Sequence, residues 1–376
     1  MPESKHTAIY ETLRKEILGG KYLSGKTFPS ERLLMKRFAV SRTTVRSALQ
    51  RLQHLGLADS RRGCGRFLTR AGMKASGLLG LLIPERIEAQ FYTNLSRAIV
   101  KRGFEHGYSF LIGDVGVDDK VLCLEQTMRF VQEFVLRRVE GLLYRPFLDV
   151  KMRAQNREVV EIFRKADIPV VLIDSDIESL PRRSDFDLVH IDNISAGRLV
   201  AEHLMSIGRR HIAFLLPKNT SEHMGNCIDR LFGVSGAIVA AGLKWTDRNV
   251  LDFSPDDVSA LRRVMRHDGI RIDAVVCCND ESAVRLQKSL AAIGVSVPRD
   301  VAVAGFDDSP CAQAATPSIT TICQPVDQIA DAACNRLLQR IANPDMPPLE
   351  IVFRAPLVVR ESAFGLEKSK KRRIQT

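Results

Sequence analysis

Two different hydrophobic patterns divide the chain. Between residues 42 and 55 apolar side chains recur three and four residues apart, which is the spacing of one face of an α-helix. These residues are Val45, Ala48, Leu49, Leu52 and Leu55. From Leu78 onward, short apolar runs alternate with amphipathic stretches, as in parallel strands that are covered by helices on both faces. The two patterns predict a small helical domain followed by a large α/β domain.

The helices of the N-terminal domain have recognisable boundaries. Ser41 stands where an N-cap belongs, directly before the periodic run, and Gly56 follows the run where a left-handed residue ends many helices. A shorter helix begins after Ser30, and the segment 39–41 forms a tight connection between the two helices. A further helix is predicted over about residues 6–18. This order of elements predicts a helix-turn-helix unit.

A basic hairpin is predicted to follow the last of these helices. Two short segments, 57–60 and 66–69, are joined by residues 61–65, which read Arg-Arg-Gly-Cys-Gly. The glycines permit a tight turn between two antiparallel strands. A helix-turn-helix unit with such a hairpin is a winged helix, which we predict for residues 1–70.

Charge indicates what this domain binds. The chain carries a formal net charge of +11. Residues 1–76 contain 16 Lys and Arg against 5 Asp and Glu, so that segment alone accounts for +11. The polar face of the 42–55 helix begins with Arg42, Thr43, Thr44 and Arg46, which suit phosphates and the guanine edges of the major groove. The concentration of positive charge on one module favours a nucleic-acid reader attached to another domain.

The segment PSERLLMKRFAVSRTTVRSALQRLQHLGL, followed by GCGRF, resembles the DNA-binding domain of GntR-type regulators. The resemblance places Arg32, Arg42, Thr44, Arg46 and Gly65 on DNA-contact positions. The predicted DNA-binding set also includes the cap and hairpin residues Ser41, Thr43, Arg62 and Gly63. The family usually has glycine at the position of Ala39, and this departure leaves the turn plausible. The alternative is a small helical domain with a solvated basic face.

The α/β domain contains two series of strand–helix units. The first runs from Leu78 to about residue 174, and the second begins at the strand 188–192. We therefore predict a linker at 71–77 and a two-lobed domain at 78–362 with two parallel sheets. The first lobe should comprise about 78–187 and 322–345, and the second about 188–320 and 350–362, including a last strand near 351–360. The basic segment 363–376 is predicted to be a disordered tail.

Polar residues stand at the carboxyl ends of the predicted strands. They are Asp174, Asp192 with Asn193, Asn279 with Asp280, and Asp307 with Asp308. Ligands of open parallel sheets bind at that edge. Carboxylates and amides from two facing lobes would converge in a cleft, where side chains that accept and donate hydrogen bonds suit a polyhydroxylated ligand.

Phrases of the α/β domain resemble the LacI/GalR regulators and the periplasmic sugar-binding proteins. They include PVVLID, HIDNISAGRLVAEHLMSIGRRHIAFL, VVCCNDESAV and VPRDVAVAGFDDS. The resemblance implies effector-binding roles for Phe91, Tyr92, Arg145, Asp174, Arg230, Phe253, Asn279 and Asp307. The family's own helix-turn-helix and hinge helix are absent. A GntR-type domain in their place is typical of arabinose-repressor-like proteins.

Each candidate also has an ordinary structural interpretation. Asp192 with Asn193 and Asn279 with Asp280 could cap the helices that follow them. Arg230 could lie on the exposed face of an amphipathic helix, and Phe91 and Phe253 could belong to the hydrophobic core. These alternatives stay open at the level of sequence.

The sequence does not indicate a zinc site, disulfide bonds or a membrane span. The eight cysteines include no CxxC pair and no zinc-ligand spacing, and most lie in apolar runs typical of reduced, buried thiols. No apolar run approaches the ~18 residues of a membrane span, and a signal segment is not apparent, so we expect a cytoplasmic protein.

The expected function is a ligand-responsive repressor, with no cofactor or metal, that binds a palindromic operator as a homodimer. The alternatives are a GntR-type fusion with an enzymatic domain or with an interaction domain that binds no ligand. No Gly-rich phosphate loop or GxSxG motif supports the enzyme.

Overall fold

The computed structural model describes the chain over residues 5–18, 28–54, 58–61, 65–68, 77–84, 90–115, 120–178, 181–216, 225–266 and 272–364. Three bodies follow one another: a small N-terminal domain and two lobes, each built on a six-stranded sheet.

The N-terminal domain is a winged helix. Helices α1 (Lys5–Leu18), α2 (Glu31–Phe38) and α3 (Arg42–His54) precede the antiparallel strands β1 (Ala58–Arg61) and β2 (Gly65–Leu68). The predicted apolar face of α3 is buried at Val45, Ala48, Leu49 and Leu52, together with Ile9, Leu13 and Ile17 of α1. The predicted helices and hairpin are confirmed, while Leu55 and Gly56 lie outside the described residues.

The first lobe is a parallel sheet in the order β13-β7-β6-β5-β3-β4. Its strands are β3 (Leu78–Ile83), β4 (Ser109–Asp114), β5 (Leu142–Tyr144), β6 (Val170–Ile173), β7 (Asp187–Ile191) and β13 (Glu350–Phe353). Helices α4 (Gln90–Glu105), α5 (Lys120–Leu136) and α6 (Arg153–Lys165) connect the first four strands. Helix α12 (Val326–Ala342) packs against α4 and so also belongs to this lobe.

The second lobe has a sheet in the order β14-β12-β11-β10-β8-β9, in which only β14 runs antiparallel. Its strands are β8 (Ile212–Leu216), β9 (Val250–Asp252), β10 (Ala274–Cys277), β11 (Ala302–Phe306), β12 (Thr320–Ile322) and β14 (Leu357–Val358). The helices are α7 (Asn193–Ser206), α8 (Gly225–Ala240), α9 (Val258–Arg266), α10 (Asp280–Ala292) and the short α11 (Pro310–Ala314). Almost every residue of the central strands is buried, as expected for a sheet covered on both faces.

The division of the strands between the lobes differs from the sequence prediction. Strand β7 was predicted to open the second lobe, but it pairs with β6 in the first sheet. The predicted strand near 351–360 is two strands, of which β13 pairs with β7 and β14 with β12 in the other sheet. The physical reason is that pairing partners are set by long-range hydrogen bonds, which the apolar content of a strand does not encode.

Three short segments therefore cross between the lobes. They are residue 192, residues 323–325 and residues 354–356. Asp192, one of the polar residues at the predicted strand ends, is the first of these crossings. The second lobe also extends further than predicted, because Ala363 is fully buried and its carbonyl lies 2.8 Å from Nε2 of His203.

Candidate functional site

The helix-turn-helix has its caps in place. The Oγ atom of Ser30 accepts a hydrogen bond from the backbone N–H of Leu33, and that of Ser41 accepts one from Thr44. Ala39 ends α2 in the left-handed conformation, with φ 50° and ψ 47°. That conformation explains why a glycine is favoured there, because the Cβ atom of alanine is strained in it.

The start of α3 presents two guanidinium groups to solvent. The side chains of Arg42 and Arg46 are 68% and 62% exposed, and both approach the carboxylate of Glu31 on α2. The Nε atom of Arg42 lies 2.9 Å and that of Arg46 3.6 Å from the oxygens of Glu31. Exposed guanidiniums held at the N-terminal end of a helix are suited to phosphates and base edges. Glu31 was not singled out from the sequence, although it stands in the quoted PSER segment.

The other predicted DNA-contact residues are mostly exposed to solvent where the structure describes them. Arg32, Ser41 and Thr43 are exposed, and Thr44 is half-buried. Gly65 opens β2 of the wing. Arg62 and Gly63 lie outside the described residues.

A second group of predicted residues meets between the lobes. The hydroxyl of Tyr92, in the first turn of α4, donates a hydrogen bond of 2.5 Å to Asp174, which follows β6. The guanidinium of Arg145, fully buried after β5, lies 4.9 Å from the centre of the Tyr92 ring. Phe91 packs edge-to-face on Tyr92 at 5.0 Å between ring centres. Burial, with the neighbouring Asp174 carboxylate, raises the pKa of Tyr92 well above its ordinary value, so the hydroxyl stays a donor.

Arg230 on α8 is buried, which rules out a position on an exposed helix face. Its Nε donates to Oδ1 of Asn193 at 2.9 Å, and its Nη1 donates to the carbonyl of Cys278 at 2.5 Å. The guanidinium also lies 4.5 Å from the centre of the Phe306 ring. Asn193 and Phe306 therefore join the site, where sequence reasoning had offered Asn193 chiefly as a cap.

Two glycines set the position of the Arg230 backbone. A Cβ atom on Gly197 of α7 would lie 2.2 Å from the carbonyl oxygen of Arg230, and one on Gly233 of α8 would lie 2.0 Å from that of Ile194. Helices α7 and α8 can approach this closely only because neither glycine carries a side chain.

Asp307 carries a carboxyl group that interacts electrostatically with Arg230. It follows β11 with a φ of 110° and accepts a hydrogen bond of 2.6 Å from Nε2 of Gln324. Burial raises the pKa of Asp307 well above its ordinary value, and the positive charge of Arg230 opposes that rise. Gln324 lies on a crossover segment and was not singled out from the sequence.

Direct hydrogen bonds connect the two lobes at this place. Nδ2 of Asn226 on α8 donates to Oδ2 of Asp174 in the first lobe at 3.2 Å. The backbone N–H of Gln90, at the start of α4, donates to Oε1 of Glu281 on α10 at 3.1 Å. Asn226 stands one helical turn before Arg230, so the i, i+4 spacing was a signal that could have found it.

Two predicted effector residues keep ordinary structural interactions. The side chain of Asn279 caps α10 by accepting from the backbone N–H of Ser282 at 2.9 Å. Phe253 is buried in the core of the second lobe with Leu251 and Leu261. Asp192 likewise caps α7 through Ser195. The structure does not bring Phe253 into the network around Arg230, and its effector role stays a prediction.

Behind the cleft lies a buried carboxyl group. Asp280 accepts hydrogen bonds from the hydroxyl of Thr321 and from both the backbone N–H and the hydroxyl of Ser309, at 2.6 to 2.9 Å. Burial nevertheless raises its pKa to about 7, although these three donors lower it. A Cβ atom on Gly305 would lie 2.4 Å from Oδ1 of Asp280, so glycine is required there.

Within the described ranges, no helix has the length and apolar character needed to cross a bilayer. The same residues include no cluster of His, Cys, Asp and Glu that could hold a metal ion.

Two models of known protein families match the two parts of the chain described above. Residues 5–68 match the model of the bacterial regulatory proteins of the gntR family, and residues 201–363 match that of the periplasmic binding protein-like domain. The chain joins a GntR helix-turn-helix domain to a periplasmic-binding-protein-like domain. The second match begins inside helix α7 and therefore covers most of the second lobe and the C-terminal elements α12 and β13 of the first.

The chain is similar to two proteins named as repressors and to a regulator solved with a sugar. It is 25% identical over 371 residues to the arabinose metabolism transcriptional repressor of Geobacillus stearothermophilus, covering 95% of this chain and 97% of that one. It is 29% identical over 291 residues to the ribose operon repressor of Escherichia coli K12, covering 76% and 82% respectively. A solved complex of the transcriptional regulator CelR with cellobiose is similar with a TM-score of 0.64 and 25% identity, covering 86% of this chain and 91% of that one.

Proposed function

We propose that the protein is a transcriptional repressor whose operator affinity is set by a sugar bound between the two lobes. The relatives named above are repressors of ribose and arabinose genes and a regulator solved with cellobiose. Their names motivate a pentose or a glucose disaccharide as the first ligands to test.

The observation that carries the proposal is the polar network across the lobes. Tyr92 and Asp174 come from the first lobe, and Asn226 and Arg230 from the second, and these four residues are at most 8% exposed. Asp307 of the second lobe is half-buried beside them. Hydroxyl groups of a sugar can both accept from the guanidinium and donate to the carboxylates. A ligand that replaces the direct contact between Asn226 and Asp174 would bias the spacing of the lobes, and a ligand shifts an equilibrium only by such differential contacts.

The DNA end of the proposal is a homodimer on a palindromic operator. Two recognition helices must lie about 34 Å apart to read half-sites on one face of the duplex. One winged helix buries too little surface for tight specific binding, so the two-lobed domain would supply the dimer contacts. A rotation of the lobes that changed the helix spacing would then alter operator affinity by about 5- to 150-fold.

The full chain provides a direct test. Its operator would be selected from random duplex DNA, and thermal unfolding would be measured with D-ribose, L-arabinose and cellobiose. A sugar at about 100 times its Kd should stabilise the protein by ~2.7 kcal/mol and should change operator affinity. Selective DNA binding that no sugar in a broad carbohydrate panel affects would contradict the proposal.

Binding rather than turnover is part of the proposal. The sugar that stabilises the protein should be recovered chemically unchanged after prolonged incubation with it. Conversion of the sugar would support the alternative of an enzymatic domain.

A further inference from the structure

Helix α4 contacts both the cleft between the lobes and the DNA-binding domain. Its first turn carries Phe91 and Tyr92 at the cleft, and the N–H of Gln90 reaches Glu281 of the opposite lobe. Its last residue, Glu105, contacts the DNA-binding domain. Sixteen residues of α-helix span about 24 Å, and a helix of this length moves as a stiff unit.

The contact at the far end is made by Arg14 of α1. Its Nη1 atom donates a hydrogen bond of 3.0 Å to the carbonyl oxygen of Glu105 and one of 2.9 Å to Oε2 of Glu11. Arg14 is only 3% exposed, and its contact with Glu105 lies between the winged helix and the first lobe. The last carbonyls of a helix lack partners within it and carry partial negative charge, so a guanidinium is well placed there.

Neighbouring groups show that this is a built interface. Tyr10 of α1 and Tyr108 of the first lobe are both 3% exposed. Burial and then the positive charge of Arg14 lower the pKa of His106, which therefore stays neutral beside the guanidinium.

We infer that the docking of Arg14 on the C-terminal end of α4 transmits the state of the cleft to the winged helix. The inference rests on the proposed function for its sugar and its operator. The contact between Arg14 and the carbonyl of Glu105 provides a direct route from the cleft to the DNA-binding domain. A shift of α4 on lobe closure would move α1. Because α1 and α3 share one hydrophobic core, it would also move α3, the helix that begins with Arg42.

The docking can be tested without sugar or DNA. The ring of His106 would be followed by NMR against pH in the full chain and in the Arg14→Gln variant. Loss of the positive charge should raise the pKa of His106, because Asp331, Glu105 and Arg102 around it are unchanged. The Lys15→Gln variant removes an exposed charge one residue further along α1 and should leave that pKa where it was.

An unchanged pKa of His106 in Arg14→Gln would overturn the docking. Should that variant fail to fold, the wild-type chain decides the question by a nuclear Overhauser contact between the Arg14 side chain and the backbone at Glu105 and His106, where the guanidinium donates to the Glu105 carbonyl at 3.0 Å. Its absence in selectively labelled protein would overturn the docking equally.

Transmission is tested by operator affinity with and without the sugar, using D-ribose, L-arabinose or cellobiose as the probe. In Arg14→Gln the ratio of the two affinities should fall toward one, while operator binding without sugar and sugar binding without operator persist. Both retained activities show that both domains are folded. A ratio equal to that of the wild type would refute the inference, whereas a wild-type chain with no sugar response would refute the proposed function and leave the docking result standing.

Discussion

The two sites of the protein use the same side chain in opposite environments. Arg42 and Arg46 of the winged helix are more than 60% exposed and share one carboxylate partner, Glu31. Arg230 of the cleft is 3% exposed and is held by an amide, a carbonyl and an aromatic face. Water screens the first pair, so these arginines are available to a polyanion and their attraction depends on salt. Arg230 is hydrogen-bonded to protein groups instead of water, so its guanidinium is held in one orientation for a small ligand. Its removal would leave those buried groups without their donor.

Replacement of Arg230 should give the largest effect. The Arg230→Met variant leaves the buried Oδ1 of Asn193 and the carbonyl of Cys278 without their guanidinium donor, so we expect a loss of about 3–5 kcal/mol in the free energy of unfolding and the loss of sugar binding. The matched control is Arg198→Met on the adjacent helix α7, where the guanidinium is 61% exposed and pairs with Glu202 one helical turn away. That control should cost at most about 0.5 kcal/mol. Equal costs in denaturant unfolding would contradict the buried role of Arg230.

The exposed pair should show the reverse behaviour. Arg42→Ala or Arg46→Ala should weaken operator binding by about 1–3 kcal/mol, reduce its dependence on salt and leave sugar affinity unchanged. Fluorescence anisotropy at several salt concentrations measures both quantities. Arg137→Ala, an exposed ion-paired arginine of the first lobe, is the control and should alter neither. Loss of sugar binding in the α3 variants would mean that the domain had misfolded.

The buried carboxyl group of Asp280 should make the free energy of unfolding depend on pH. Its folded pKa of about 7 exceeds the ordinary value of 3.8, so the folded state keeps a proton that the unfolded chain releases. Stability should therefore decrease as pH rises from about 4 to about 7, by on the order of 3 kcal/mol or less. Asp280→Asn should remove that part of the pH dependence, as measured by urea unfolding at several pH values. A variant with the same slope as the wild type would show that Asp280 is ionised in the folded protein.

Ala39 should give the smallest effect, because its strain is confined to one exposed turn. Ala39→Gly should stabilise the helix-turn-helix by up to ~1 kcal/mol, since glycine adopts the left-handed conformation without steric cost. Amide exchange of residues 28–54 in the full chain measures this gain. Ala8→Gly within α1 is the control, and it should instead destabilise its helix by a similar amount. A loss of protection in Ala39→Gly would contradict the role assigned to the turn.

The sequence by itself determined the local elements and the position of polar residues at the ends of the strands. The apolar spacing of α3, the caps Ser30 and Ser41, and the apolar strands of both sheets follow from local periodicity and backbone preference, which are written in neighbouring residues. Tertiary structure alone decided that β7 and β13 belong to the first sheet, that Arg230 faces inward while Phe253 packs in the core, and that Asn226 bridges to Asp174. It also decided that Arg14 docks on α4. These outcomes depend on contacts between residues far apart in the chain, whose geometry is set only when the sheets pair and the domains pack together.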